Sequence, residues 1–463
     1  MPKERLDPGL VRLCGVLAVG AFAPLLDSTI VAVAVDVLAD DLGVATTTVQ
    51  WVSTAYLLAF ALVMPVSGWA GERFGTRRVW LGALALFCVG SLLCASAWSA
   101  GSLVVFRGVQ GVGGGLMLPV LQTIVVRACG GRQVGRLVAM VSLPALLGPV
   151  LGPVFGGLLL GHLHWRWIFY VNLPVCALAL FLAWRSVPRD RRQGASRLDV
   201  VGLVLVCPGL TALVYGLSQC GGQDGAGGGW VVLPMAAGAV LLAVFVVRSL
   251  RSSAPLIDMR LFRLRSFAAT SVLMFAGGST TYGGMFLLPL YCQLVLDKGV
   301  VTTGLLLVPQ GIGALAARGA GVLTDRMGPR PVVVAGLLLS AVATWPFAAS
   351  VGEGAVVGVA LFFRGLGTSA VNLAVTVGAY QGLDDSRVAD ASTTTRILQQ
   401  LGGSFGIAAL AVLLQRGGHS ASAFAHAFGV MAVLTVCAVM AAALLPGHRG
   451  AASAPLATAE GRT

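Results

Sequence analysis

Three ionisable residues stand deep inside long apolar runs: Asp27 within LLDSTIVAV, Arg107 within FRGVQGVGGG and Arg364 within FFRGLGTS. A charge in hydrocarbon is expensive to place, so such residues are functional candidates by default. A carboxylate that alternates between a cationic neighbour and an aqueous cavity changes its proton affinity with conformation. That behaviour ties proton uptake and release to a conformational cycle, and it assigns proton coupling to Asp27 and Arg107. The competing reading is a static buried ion pair that only fixes packing. Asp36, near the end of the same run as Asp27, is either a further titrating site or a charge at the outer surface. Gln110 and Tyr56, with Arg364 and Asn372, are the polar candidates to line a substrate cavity. Arg364 has no acid partner in the run 267–291, which favours a structural or cavity role. Arg318, late in its run, is expected to extend its charge to the membrane surface.

The elements that must position these residues follow from composition. The chain has 463 residues, of which 57% are hydrophobic and 11% charged, with a mean hydropathy of +0.88. Soluble domains carry about 25% charged residues, so the solvent for this chain is expected to be lipid. The net charge of +13 is spread between apolar runs rather than gathered in one stripe, which argues against nucleic acid as a partner. The nine cysteines show no CxxC spacing and mostly lie within apolar runs, so neither a disulfide framework nor a metal site is expected. GVQGVGGG (108–115) lies inside a span and is therefore not a dinucleotide loop. With no nucleophile–base pairing either, the chain does not read as an enzyme, and no cofactor is expected.

Fourteen runs are apolar enough to cross a bilayer as helices, at about 20 residues each. They fall near 11–35, 48–70, 78–98, 101–126, 135–161, 166–185, 199–219, 230–248, 267–291, 302–323, 331–350, 354–380, 395–415 and 423–445. The first run is too long for a signal-peptide core and is expected to be retained. With the N-terminus placed in the cytoplasm, all but five of the 31 Lys and Arg fall on the cytoplasmic side. The exceptions are Arg166, Lys298 and Arg416 outside and Arg107 and Arg364 within spans, an asymmetry that fits the positive-inside rule. Both termini are therefore expected in the cytoplasm. At 1.5 Å per residue, Asp27 lies roughly 24 Å into its span from the cytoplasmic start, and Arg107 roughly 9 Å in from the other face. In a core of about 30 Å these depths are similar enough for the two to meet.

The chain also repeats. GERFGTRR (71–78) is matched by TDRMGPRP (324–331), and FRG (106–108) by FRG (363–365), at offsets of 253 and 257 at equivalent places in the order of spans. Residues 1–198 and 267–446 thus read as two related six-helix bundles, with two inserted helices at 199–248, a cytoplasmic linker at 249–266 and a cytoplasmic tail at 447–463. Two such parallel halves place a substrate site between them near the midplane. The repeated loops, with Gly68, Glu72, Arg73, Gly75 and Arg77 in one half and Asp325, Arg326 and Gly328 in the other, are candidates for a conformational latch. The stretch LLGPVLGPVFGGLL (146–159) sets Gly148, Pro149, Gly152, Pro153, Gly156 and Gly157 at regular spacing, a flat stripe for close helix packing interrupted by kinking prolines.

Together these residues resemble the fourteen-helix drug:proton antiporters of the major facilitator superfamily, over nearly the whole chain. LDSTIVAVAV (26–35) is similar to that branch's first-helix motif, with its acid at Asp27. GWAGERFGTRRV (68–79) is similar to the superfamily loop motif, with Glu72 where Asp is usual. FRGVQGVGGG (106–115) is similar to the fourth-helix motif linked to proton transfer, which places that role on Arg107 beside Gln110. GPVLGPVFGG (148–157) is similar to the motif of exporters, and WRWIFYVNLP (165–174) and LIDMRLF (256–262) are further marks of the branch. Departures are Ala32 and Asp36 where the first-helix motif usually has Asn and Pro, and Arg318 where an apolar residue or Pro is usual.

The resemblance implies an all-α polytopic protein of the bacterial cytoplasmic membrane, with fourteen transmembrane helices. It would act as a monomer, exporting small amphipathic compounds such as drugs or antibiotics in exchange for protons, with the proton gradient as energy source. A dedicated exporter of one endogenous secondary metabolite remains the alternative. The motif at 148–157 argues against an importer.

Overall fold

The computed structural model describes residues 8–129, 141, 143–188, 198–219, 229–252, 255–257, 259–349, 355–380, 385–418 and 420–445. Among them the secondary structure is helical throughout. The first bundle consists of α1 (Pro8–Val33), α2 (Val35–Leu42), α3 (Thr46–Phe74), α4 (Thr76–Ala95), α5 (Ala100–Cys129), α6 (Leu143–His162), α7 (Trp167–Tyr170) and α8 (Asn172–Ser186). An inserted pair follows, α9 (Val200–Gln219) and α10 (Gly229–Arg251), and then a short 3-10 turn at Met259–Arg263. The second bundle holds α11 (Arg265–Leu294), α12 (Val300–Leu306), α13 (Val308–Ala316), α14 (Gly319–Met327), α15 (Pro329–Ala348), α16 (Ala355–Tyr380), α17 (Asp385–Arg416) and α18 (Ala421–Ala442). Twelve of the described helical segments are long and apolar enough to cross a membrane. Large apolar side chains such as Trp98, Val342, Trp345 and Met440 are exposed on the outside, where lipid rather than water accounts for them.

Three breaks depart from the sequence reading. The chain interrupts its first apolar run at Ala34, so Asp36 does not end the first helix but opens α2, half-buried. The run 302–323 is not one helix but three, broken at Leu307 and again at Ala317, with Arg318 at the second break. Gly299, Gly304, Gly311 and Gly313 give this stretch a low intrinsic helix preference. The runs near 354–380 and 395–415 are two separate helices, as expected.

The repeated loops share one geometry. Gly75 joins α3 to α4 at φ 89°, and its N–H reaches back to the Gly71 carbonyl at 3.1 Å. Gly328 joins α14 to α15 at φ 83°, with its N–H on the Thr324 carbonyl at 2.9 Å. A side chain strains the backbone at such φ values, which is why glycine stands at both corners.

Glycines also set how closely the helices approach. In α5, a Cβ added at Gly113 would lie 2.6 Å from the Phe87 nitrogen of α4, and one at Gly111 would meet the Tyr56 carbonyl of α3. These contacts wedge α5 between α3 and α4. In α6, Gly148 and Gly156 lie against the Leu25 and Ile30 carbonyls of α1. The opposite side of α6 crosses the seam between the bundles: a Cβ at Gly157 would stand 2.9 Å from the Val300 carbonyl oxygen, and Gly304 lies against Pro153. The second seam is formed by α3 against α17, and α9 touches both of those helices.

Candidate functional site

Asp27 sits mid-helix in α1 with no exposure, and Arg107 in α5 is 1% exposed. They form a direct ion pair between Arg107 Nη1 and Asp27 Oδ2. The other carboxylate oxygen, Oδ1, accepts from Gln110 Nε2 at 3.0 Å and from Asn172 Nδ2 at 2.8 Å. Gln110 works in both directions: its Oε1 accepts from Arg107 Nη1 at 2.6 Å, while its Nε2 also donates to Ser91 Oγ at 2.7 Å. Arg107 Nε donates to the Val52 carbonyl at 3.0 Å. Tyr56 lies flat to the guanidinium, 4.1 Å from ring centroid to Cζ, and its hydroxyl donates to the Pro24 carbonyl at 3.1 Å. Five elements, α1, α3, α4, α5 and the start of α8, thus meet in one network, in which α5 and α8 donate directly to the carboxylate and α3 and α4 hold those donors. Every oxygen of Asp27 has a donor, as a buried ionised carboxylate requires.

The cluster borders the space between the bundles. A narrow cavity, with room for little more than a water molecule, is lined on one side by Ser28, Ser53, Tyr56 and Arg107 and on the other by Tyr282, Met285, Phe286 and Ile407. A second, equally narrow, lies beside it and shares Ala32 and Met285; its walls include Thr29, Pro153, Gly284, Leu307 and Gln310. Arg107 and Tyr56 line the first cavity and Asp27 lies directly behind them, closed off from it in this state.

The other anticipated residues divide. Tyr56 lines the first cavity. Gln110 does not; it is wholly buried in the Asp27 network. Arg364 is 1% exposed behind Gly284, and Asn372 is half-buried and accepts from Gln399 Nε2 at 3.1 Å. In the loops, Arg77 donates to the Trp184 carbonyl of its own bundle, Glu72 is half-buried, and Gly68, Arg73 and Arg326 are exposed. The side chains of Asp325 and Pro149, and the tail 447–463, lie outside the described residues. Gly148, Gly152, Pro153, Gly156 and Gly157 all make the close approaches expected of a packing stripe, with Thr29 Oγ1 donating to the Gly148 carbonyl at 3.1 Å.

Two residues of the site were not anticipated. Asn172 belongs to the WRWIFYVNLP stretch noted for its resemblance, and Ser91 stands in an otherwise apolar VGSLLC; an amide opening a span so apolar was the available signal.

Long apolar helices around a buried, fully hydrogen-bonded acid, held within one bundle beside the space between the two, point to a membrane transporter rather than an enzyme. The chain belongs to the major facilitator superfamily: residues 17–407 match the model of that family. It is 40% identical over 417 residues to a multidrug resistance protein B homolog of Mycobacterium tuberculosis, a match covering 89% of this chain and 77% of that protein. It is 27% identical over 429 residues to the multidrug transporter protein MdtP of Bacillus subtilis, covering 90% and 78%. Among solved structures it resembles a POT family transporter in complex with a thioalcohol-conjugated peptide, at a TM-score of 0.70, 14% identity and coverage of 93% and 94%. It also resembles a D-xylose–proton symporter, at 0.66, 15%, 96% and 98%. These likenesses establish the fold.

Proposed function

We propose that the protein exports small amphipathic organic compounds, drugs or antibiotics among them, across the bacterial cytoplasmic membrane in exchange for protons. The observation that carries this reading is the placement of Asp27: a buried carboxylate, neutralised by Arg107, one residue layer from the cavity between two bundles. In the state described here the acid is satisfied as an anion. When the bundles rock apart, the cluster would open to water, and a proton would replace part of what Arg107, Gln110 and Asn172 supply. Proton and substrate then compete for one conformational equilibrium rather than for one set of atoms. Relatives named for multidrug resistance support the substrate class, and the glycine stripe of α6 supports the resemblance to exporters.

The same reading takes the chain as crossing the membrane fourteen times with both termini in the cytoplasm. The twelve segments above are joined by α6 and by α11, whose 30 residues span about 45 Å. The arginine and lysine asymmetry supports the orientation.

The test is proton release. Detergent-purified protein in weak buffer should release protons when amphipathic compounds, charged and neutral, are added, and Asp27→Asn should abolish the release while leaving downhill exchange measurable. Release by Asp27→Asn equal to that of the unaltered protein would place coupling elsewhere, with Asp36 the next acid to examine.

A further inference from the structure

The two halves repeat the buried arginine but not its acid. Arg107 and Arg364 are 257 residues apart, and so are Asp27 and Gly284. The correspondence is spatial as well. A Cβ placed on Gly284 would run into Nη2 and Cζ of Arg364 and stand 2.9 Å from Nη1. Gly284 on α11 therefore faces Arg364 on α16 as Asp27 on α1 faces Arg107 on α5, with a hydrogen atom where the first half has a carboxylate.

Arg364 is left short of partners. Its Nη2 donates to the Thr280 carbonyl at 2.7 Å and lies 3.7 Å from Met431 Sδ. Among the described residues its Nε and Nη1 have no hydrogen-bond partner, and no acid pairs with it. A guanidinium keeps its proton in proteins, and burying a lone ion costs several kcal/mol. Lodged in the middle of α16, it has no path along which to extend its charge to the surface. One thing separates it from open space: Gly284 lines the second cavity, together with Gln310, whose backbone touches Gly365.

We propose that Arg364 is the counter-ion for a carboxylate of the transported compound. The carboxylate enters from the second cavity past Gly284 and meets the guanidinium as it turns away from the Gly284 Cα against which it now packs. Gln310 supplies a neighbouring amide, and Leu288, Pro289 and Leu307 face the apolar body. The substrate class is then amphipathic carboxylates, zwitterions included. This rests on reading the protein as an exporter of amphipathic compounds. It also gives the two halves matched roles, a proton neutralising the acid of one and a substrate anion the base of the other.

Equilibrium binding to the full-length protein in detergent tests the idea, with dansylglycine and its uncharged amide as fluorescent probes. A charge-assisted contact predicts that the carboxylate binds about tenfold or more tightly than the amide. Arg364→Gln should erase that preference by weakening the carboxylate alone, and Arg364→Lys should keep part of it. Gly284→Ala, which puts a methyl group between cavity and guanidinium, should also act selectively on the carboxylate. Equal binding of the two probes, absence of dansylglycine binding, or equal loss of both probes in Arg364→Gln would overturn the assignment. The unaltered protein's preference decides the matter even if Arg364→Gln does not fold. Because binding needs no pH gradient, failure of proton-coupled export leaves this measurement unaffected.

Discussion

Asn172 Nδ2 and Asp27 Oδ1 lie 2.8 Å apart although 145 residues separate them. The first residue of α8 thereby joins α1 and α5 in holding a single carboxylate, on the oxygen that Arg107 does not occupy. Hydrogen bonds to a charged group are worth about 1.5–3 kcal/mol each. Asn172→Ala is expected to leave a folded protein whose transport rate has a visibly displaced pH profile, because Arg107 and Gln110 still hold the acid. An unchanged profile in everted vesicles would reduce Asn172 to packing.

Removing the cation should be harsher. Arg107→Ala leaves Asp27 buried without its counter-charge, a defect of about 3–5 kcal/mol for a buried pair. The double variant Asp27→Asn/Arg107→Gln removes both charges and should recover most of the thermal stability in detergent, though not coupled transport. If Arg107→Ala melts at the temperature of the unaltered protein, the pair contributes nothing to the fold.

The stripe on α6 makes a prediction with an internal control. A side chain at Gly152 would collide with Thr29 of α1, whereas Gly82 on α4 is exposed with nothing within 4 Å of an added Cβ. Overpacking costs about 1–3 kcal/mol, so Gly152→Leu should block turnover and Gly82→Leu should not. Equal transport by the two would exclude a close α1–α6 contact in the cycle.

The loop corners should be equally intolerant. Gly75→Ala and Gly328→Ala each force a side chain to a positive φ, for about 1–3 kcal/mol. Both should lower the melting temperature, and each should do so by a similar amount because the two corners share a geometry. An effect confined to one corner would break the equivalence of the halves.

A clamp holds the linker to the inserted pair: Asp199 accepts from Arg248 Nη1 at 2.6–2.8 Å and from the Leu256 N–H at 3.2 Å, and Ser249 Oγ donates to the Ile257 carbonyl at 2.5 Å. Asp199→Ala should speed proteolysis of the linker near Ser252 several-fold while leaving the bundles intact. Cleavage at the unaltered rate would show that the clamp does not order the linker.

Much of this was legible in the sequence because charges within hydrocarbon are rare: Asp27, Arg107 and Arg364 announce themselves, and apolar runs mark most helices, although α17 begins ten residues before its run and 302–323 is divided into three. Asn172 and Ser91 did not stand out, since neutral polar residues are common in spans and only tertiary contact distinguishes them. The break at Ala34 was equally silent within its apolar run, whereas those at Leu307 and Ala317 had a local signal in Pro309, Gly319 and the neighbouring glycines. Gln110, expected to line the cavity, holds the acid instead, while Arg107 one turn away does line it; one turn of a helix separates facing the substrate from holding the acid.

Where Gly157 meets Val300 and Gly304 meets Pro153, main chain rests on main chain. Such a joint has no bulky group that swings aside, so it offers no graded aperture and no small leak. It parts as a whole or it holds, and an exporter of the kind proposed would gain from that a gate with few half-open states.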